Sequence, residues 1–89
     1  MRDYAFVQHV KAPNDANGNP RRLYMVTRAS TQESCVQVYA VDEDYNEGGN
    51  LIRELRAASF DVVELPPVNV SAAEYRRLLN EHKTPRYLR

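Results

Sequence analysis

The sequence predicts a small α+β domain, with a mostly antiparallel sheet of three to four strands and two helices packed on one face. Short apolar segments with alternating side chains occupy the first half of the chain, and turn-forming residues separate them. Two segments in the second half carry apolar residues at helical spacing. Because 89 residues suffice for one domain and are too few for two, we take residues 1–89 as a single domain.

The first three strands are predicted over residues 4–11, 21–28 and 34–42. Residues 12–20 are rich in turn formers, with Asn17-Gly18 at a hairpin position, and a second turn covers residues 29–33. These connections are too short for crossovers, so the three strands should form an antiparallel meander. Alternation in the third strand leads us to expect Val36 and Val38 in the core.

A short helix should follow, capped by Asn50, and a fourth strand should cover residues 60–65. The apolar face of this helix is expected to contain Leu51, Ile52, Leu55 and Ala58. Neither Pro66 nor Pro67 can donate a ladder hydrogen bond, so we expect these prolines to end the strand.

The second helix should begin at Ser71, because Ser71 and Glu74 have the S-x-x-E spacing of a capping box. Its predicted end is Thr84-Pro85, since the residue before a proline disfavours the helical region. Residues 83–89 form a basic tail, which we expect to be the mobile part of the domain. The predicted element order is β-β-β-α-β-α.

Charge is balanced over the whole chain but unevenly distributed along it. Residues 42–64 contain seven acidic and two basic residues, whereas residues 76–89 contain five basic residues and one acidic residue. Such an uneven distribution of charge is informative about binding partners or self-association and not about the fold. Mutual neutralisation of the two segments is the simpler alternative.

Catalytic and cofactor patterns are not evident in the sequence, and we expect no enzyme, no cofactor and no metal site. The three glycines, Gly18, Gly48 and Gly49, cannot form a phosphate-binding loop. Residues 42–49, which we call the acidic loop, begin like a calcium loop. Counted from Asp42, however, the sixth position lacks the required glycine and the twelfth lacks the required glutamate. No local signature around the single cysteine, Cys35, indicates a nucleophile.

The function expected from the sequence is protein–protein interaction by a small non-enzymatic module, such as an inhibitor or accessory subunit. Viral and mobile-element proteins that act on host machinery fall in this size class. The alternative is a nucleic-acid-binding module that uses an Arg/Tyr surface, although the balanced charge disfavours it. A homodimer through a sheet edge is a further option. One cysteine and no long apolar run favour a cytoplasmic protein without membrane contact.

Charged and aromatic residues are the candidates for partner binding, because charge steers association and Arg and Tyr are common at interface hot spots. The candidates are Asp42, Glu43, Asp44 and Glu47 in the acidic loop, Arg21, Arg22 and Tyr24 on the second strand, and Arg76 and Arg77 on the second helix.

Overall fold

The computed structural model describes residues 3–30 and 35–82, with the side chains of all of these except Ser30, Cys35 and Glu47. The predicted basic tail, residues 83–89, lies outside the described residues. The elements in chain order are β1 (Asp3–Ala12), β2 (Arg21–Ser30), β3 (Cys35–Asp42), a 3-10 segment (Glu43–Gly49), α1 (Asn50–Ala57), β4 (Phe60–Asn69) and α2 (Ala72–Glu81).

The four strands form one mixed sheet in the order β3-β2-β1-β4. β1 and β2 pair antiparallel, as do β2 and β3, which confirms the predicted meander. The chain then passes through the 3-10 segment and α1 to place β4 parallel to β1 at the opposite edge. The α+β class and the mostly antiparallel sheet are therefore confirmed, with one parallel pair added.

The turn between β1 and β2 is organised by Asp15. Its Oδ1 accepts hydrogen bonds from the backbone N–H groups of Asn17 and Asn19, both at 2.9 Å. Gly18 has φ of 82°, a left-handed conformation that costs glycine little. The hairpin predicted from Asn17-Gly18 is confirmed, since β1 and β2 remain in register from Tyr4↔Ala29 to Ala12↔Arg21.

One face of the sheet packs against α1. Leu51 and Leu55 of α1 are buried against Ala5 and Val7 of β1. The other buried members of this cluster are Val26, Tyr39, Val41 and Phe60. Ile52 is partly buried against it, whereas Ala58 is exposed. The predicted apolar face of the helix is thus confirmed for its three larger residues.

The opposite face of the sheet packs against α2, so the expectation of both helices on one face is wrong. Val10, Leu23 and Ala40 are buried there, and Tyr75, Leu78, Leu79, Met25, Val68 and Val70 are partly buried against them. The reason is that the strands carry apolar side chains on both faces. Each face therefore needs its own cover, and two helices on one side would leave the other uncovered.

The register of β3 also differs from the prediction. Val36 is 65% exposed and Val38 is 39% exposed, whereas Tyr39 and Val41 are buried beneath α1. Nearly every residue from 36 to 41 is apolar, so alternation within β3 does not distinguish the two faces. Pairing with β2 decides the matter, because Val26↔Tyr39 directs Tyr39 toward α1.

β4 continues through Pro66-Pro67 to Asn69, so the prediction that these prolines end the strand is wrong. The pairing with β1 slips here, from Gln8↔Leu65 to Val10↔Val68, which leaves an extra residue on β4. Gln8 Nε2 donates to the Pro66 carbonyl at 3.0 Å across this bulge. Prolines are tolerated because β4 is an edge strand.

The starts of the two helices differ in their capping. The Ser71 side chain accepts a hydrogen bond from the Glu74 N–H at 3.1 Å, which confirms the predicted N-cap. The predicted Asn50 cap is wrong: Asn50 is the first residue of α1, and its side chain accepts from Arg53 instead. Gly49 precedes it in a left-handed conformation with φ of 78°.

α2 crosses the strands rather than running along them. The chain enters α2 beside Val70, whose N–H donates to the Lys11 carbonyl at 2.8 Å, and leaves at His82, whose carbonyl accepts from the Ala40 N–H at 2.7 Å. A ten-residue helix is about 15 Å long. The four strands span about 14 Å between the outer two. The helix therefore covers a band across one end of the sheet.

Candidate functional site

Among the residues that the structure describes, the most exposed large apolar side chains all lie on one face of the sheet. Tyr4, Val36, Val38 and Leu65 are 41%, 65%, 39% and 39% exposed, respectively. Strand pairing aligns Tyr4 with Ala29 and Val36 in one row, and Phe6 with Thr27, Val38 and Val63 in the next. Leu65 lies opposite Gln8 in the row beside α2. We call the apolar residues of these rows the open stripe.

The open stripe exists because α2 is too narrow to cover its face. β1, β2 and β4 have ten residues each, which corresponds to about 33 Å of strand. A helix with its side chains is about 10 Å wide. α2 covers the band around Val10, Leu23 and Ala40, and no described element covers the remainder of the face.

The stripe carries aromatic as well as aliphatic groups. The rings of Tyr4 and Phe6 are stacked, with centroids 6.2 Å apart and planes inclined by 23°. A shallow groove lies at the end of the stripe and is lined by Tyr4, Arg56, Ser59, Phe60, Asp61 and Val62. An apolar centre with charged groups at its margin is typical of protein interfaces.

A charged cluster lies on the other face, at the end of the sheet that α1 leaves uncovered. His9 and Tyr24 are paired across β1 and β2, and their rings stack at 4.6 Å between centroids. Glu43 reaches this pair from the 3-10 segment, with its Oε1 3.6 Å from His9 Nε2 and 3.8 Å from Arg22 Nη1. We call His9, Arg22, Tyr24 and Glu43 the histidine cluster.

Burial dominates the electrostatics of His9. Its side chain is 18% exposed, and its Nε2 is buried without a hydrogen-bond partner among the described residues. Burial lowers the pKa of His9 below the ordinary histidine value. Glu43 opposes this effect, and Lys11 and Arg22 add to it. The neutral imidazole is therefore favoured in the folded protein.

Several of the candidate binding residues do come together at this end of the sheet. Arg22, Asp42, Glu43 and Asp44 line one shallow groove together with Pro20, and Tyr24 lines an adjoining groove with Glu43, Asp44 and Asn46. Arg21 and Asp42 lie on the α2 side of the sheet. Burial and, to a smaller extent, the nearby Asp42 raise the pKa of Tyr75 there. The side chain of Glu47 lies outside the described part of the structure.

The candidate arginines of α2 do not belong to this group. Arg77 forms ion pairs with Glu74 and, at 2.7 Å, with Glu81, on its own helix. Arg76 is exposed on the same helix. The structure therefore divides the candidate residues between the acidic end of the sheet and the outer surface of α2.

The described part of the chain contains neither a cluster of metal-ligating side chains nor a helix that could span a membrane. Within residues 3–30 and 35–82, no three His, Cys, Asp or Glu side chains are grouped to hold a metal ion. Neither α1 nor α2 has the length and apolar character that a membrane-spanning helix requires.

Sequence reasoning missed the open stripe, whose exposed members are Tyr4, Val36, Val38 and Leu65. The available signal was the number of apolar side chains on both faces of the predicted strands, residues 4–11, 21–28 and 34–42. The only predicted helices were too short to cover two such faces. The uneven distribution of charge predicted binding through charged residues instead.

Comparisons with protein-family models, with curated proteins and with solved structures found no match to this chain.

Proposed function

We propose that this chain is a protein-binding module and that the open stripe is the centre of its binding surface. The observation that carries the proposal is the grouping of Tyr4, Val36, Val38 and Leu65, all at least 39% exposed, on one face beside α2. Single exposed apolar residues are ordinary, but a contiguous apolar patch is typical of an interaction site.

The form of the surface favours a protein as the ligand. The stripe is an open surface of sheet side chains and not an enclosed cavity, and an open surface suits a macromolecule better than a small molecule. Tyr4 provides a large ring with a polar end, the kind of residue that is enriched at interface hot spots. Asp61 and Arg56 at the margin provide charges that can orient a partner.

The size of the open stripe limits how much of an interface it can supply by itself. Two to three rows of side chains over four strands correspond to a few hundred Å² of apolar surface. A stable interface usually buries about 800 Å² on each partner, so neighbouring groups must also contribute. An accessory subunit or a small inhibitor that docks through this surface fits these dimensions.

The nucleic-acid alternative has less support, because acidic groups already pair with two of the candidate arginines. Arg22 lies beside Glu43, and Arg77 lies between Glu74 and Glu81. Phosphate binding at these positions would have to displace the carboxylates.

Leu65→Lys and Ala73→Lys make a matched pair for the test. Leu65 is on the open stripe, whereas Ala73 is exposed on α2, and both changes add the same charge. Partners would be isolated from the source cells, prepared in pure form, and titrated against wild type and both variants by calorimetry. We expect Leu65→Lys to weaken binding at least tenfold and Ala73→Lys to leave it unchanged.

Circular dichroism and thermal melting should show that both variants remain folded. Equal affinity of wild type and Leu65→Lys for every purified partner would contradict the proposal. So would a purified ligand that proves to be nucleic acid and binds independently of the open stripe.

A further inference from the structure

The two edges of the sheet differ in how they resist pairing with another strand. At the β4 edge, Pro66 and Pro67 remove two backbone donors, the bulge distorts the strand, and Asp61 and Glu64 add acidic side chains. These are the usual devices that prevent edge-to-edge association. At the β3 edge, residues 36–41 contain no proline and no charge, and their pairing with β2 is regular.

The hydrogen bond from Ala40 shows which backbone groups of β3 point outward. Ala40 lies opposite Met25, yet its N–H donates to the His82 carbonyl at the outer edge of the sheet. In an antiparallel ladder, alternate residues direct their N–H and C=O groups to the same side. Val36 and Val38 therefore also present these groups outward, at the edge that β2 does not occupy.

The side chains on this short edge are suited to strand pairing. Val36 and Val38 are β-branched and are 65% and 39% exposed. Both belong to the open stripe, so a strand added at this edge would extend the stripe. Gln37, between them, is exposed on the other face.

We propose that two copies of this chain pair antiparallel through Val36–Val38 of β3, about a twofold axis at Gln37, to form one continuous eight-stranded sheet. In this arrangement each Val36 lies opposite Val38 of the second copy, so that the edge groups of the two valines can form four backbone hydrogen bonds. Valine then faces valine, a favourable cross-strand pair. This inference goes beyond the proposed function and does not depend on it.

A second copy fits this edge because the pairing is self-complementary and separates like charges. Asp42 is the last residue of β3, and the acidic residues Glu43 and Asp44 follow it. Antiparallel pairing about Gln37 places the two acidic groups at opposite ends, about 30 Å apart and well beyond the Debye length at physiological salt. The chain has no net charge, so the copies do not repel each other as a whole.

The edge is short, so the dimer should be weak. His82 occupies the outer side of Ala40, which limits pairing to the residues before it. An interface of this length is at the small end of the range for specific complexes. We expect a concentration-dependent equilibrium between monomer and dimer.

Val38→Pro and Val38→Ala separate backbone pairing from side-chain effects. Both remove the valine side chain, but only proline removes the outward N–H, and neither removes a hydrogen bond to β2. Sedimentation equilibrium from micromolar to near-millimolar protein should show that wild type and Val38→Ala approach twice the monomer mass. Val38→Pro should remain monomeric with unchanged circular dichroism.

A disulfide test on the Cys35→Ser background keeps the proposal testable if Val38→Pro does not fold. Gln37→Cys would place two thiols opposite each other at the twofold axis, whereas Glu64→Cys places an exposed thiol at the β4 edge. We expect Gln37→Cys to form disulfide-linked dimers at least tenfold faster than Glu64→Cys under mild oxidation.

Four results would overturn the proposal. Wild type that stays monomeric at near-millimolar concentration excludes it. Equal cross-linking rates for the two cysteine variants would show that two copies of the chain do not pair about Gln37. A dimer that forms only in a chain ending at His82 shows that residues 83–89 occupy the edge instead, and a dimer lost in Leu65→Lys but kept in Val38→Pro shows face-to-face packing.

Discussion

His9 is held between an aromatic ring and a carboxylate in a setting that disfavours its charge. It stacks on Tyr24, lies 3.6 Å from Glu43, and is mostly buried. Desolvation costs a protonated imidazole more than one carboxylate at this distance restores, so its pKa is lowered. Lowering the pH should therefore destabilise the folded protein through protonation of His9.

His9→Phe provides a test of this linkage, because phenylalanine keeps a ring for stacking but cannot titrate. The folded pKa of His9 is lowered, so the unfolded chain binds the proton first as pH falls. Stability is then fully present above the unfolded value of about 6.5 and decreases below it. Urea unfolding between about pH 8 and about pH 5 should show wild type losing more stability than His9→Phe.

Curves for wild type and His9→Phe that stay parallel over this pH range would exclude a lowered pKa for His9. His9→Gln, which also lacks a titrating group, is the second control and should behave like His9→Phe.

Ser71 caps the N-terminus of α2. Its Oγ accepts the Glu74 N–H that the first helical turn leaves without an internal partner. Ser71→Ala should cost about 1 kcal/mol of unfolding free energy, and Ser71→Asp should retain most of it. Denaturant unfolding measures both. Superimposed curves for wild type and Ser71→Ala would show that the cap adds no stability.

Among the elements, β3 has one face that should tolerate a charged side chain and one face that should not. Val41 is fully buried beneath α1, whereas Val38 is 39% exposed on the open stripe. Burying an unpaired carboxylate costs several kcal/mol, a large part of the stability of a domain this small. The same charge on an exposed side chain is solvated.

Val41→Asp and Val38→Asp therefore form a matched pair. We expect Val41→Asp to leave little folded protein and Val38→Asp to fold, with a dispersed amide NMR spectrum close to that of wild type. A folded Val41→Asp, or an unfolded Val38→Asp, would mean that the strand has the opposite register.

At the scale of the whole molecule, opposite charges occur close together. Arg22 is beside Glu43 at one end of the sheet, and Arg77 is between two glutamates on α2. These exposed pairs add little to stability. Their effect is on association, because they break up the continuous positive surface that a polyanion requires.

Nucleic acid should therefore bind weakly, with dissociation constants no tighter than the micromolar range at physiological salt. Fluorescence anisotropy against mixed-sequence single- and double-stranded DNA and RNA measures this directly. Sub-micromolar binding that weakens steeply with salt and is lost in an Arg76→Glu, Arg77→Glu variant would favour the nucleic-acid alternative.

The local features of this chain could be predicted from sequence because short-range chemistry determines them. Asn17-Gly18 indicated the hairpin turn, Ser71 and Glu74 indicated the cap, and the spacing of Leu51 and Leu55 indicated the buried face of α1. Each of these depends on residues within a few positions of one another, so no knowledge of distant contacts was needed.

The grouping of the candidate binding residues was predicted only in part, because it depends on contacts between residues distant in sequence. Arg22, Tyr24 and Glu43 are among the residues predicted to bind a partner, and they do lie together. Their contact with His9, however, depends on the pairing of β1 with β2. Arg76 and Arg77 lie elsewhere, because α2 packs on the opposite face. Charge along a sequence does not specify which charges become neighbours.

The sequence by itself determined the α+β class, the meander and the approximate positions of the strands and helices, since these follow from local periodicity and turn chemistry. Only the tertiary structure decided the face that each helix covers, the register of β3, the continuation of β4 through Pro66-Pro67, and the exposure of the open stripe. These depend on strand pairing between distant residues and on how much surface a ten-residue helix can cover.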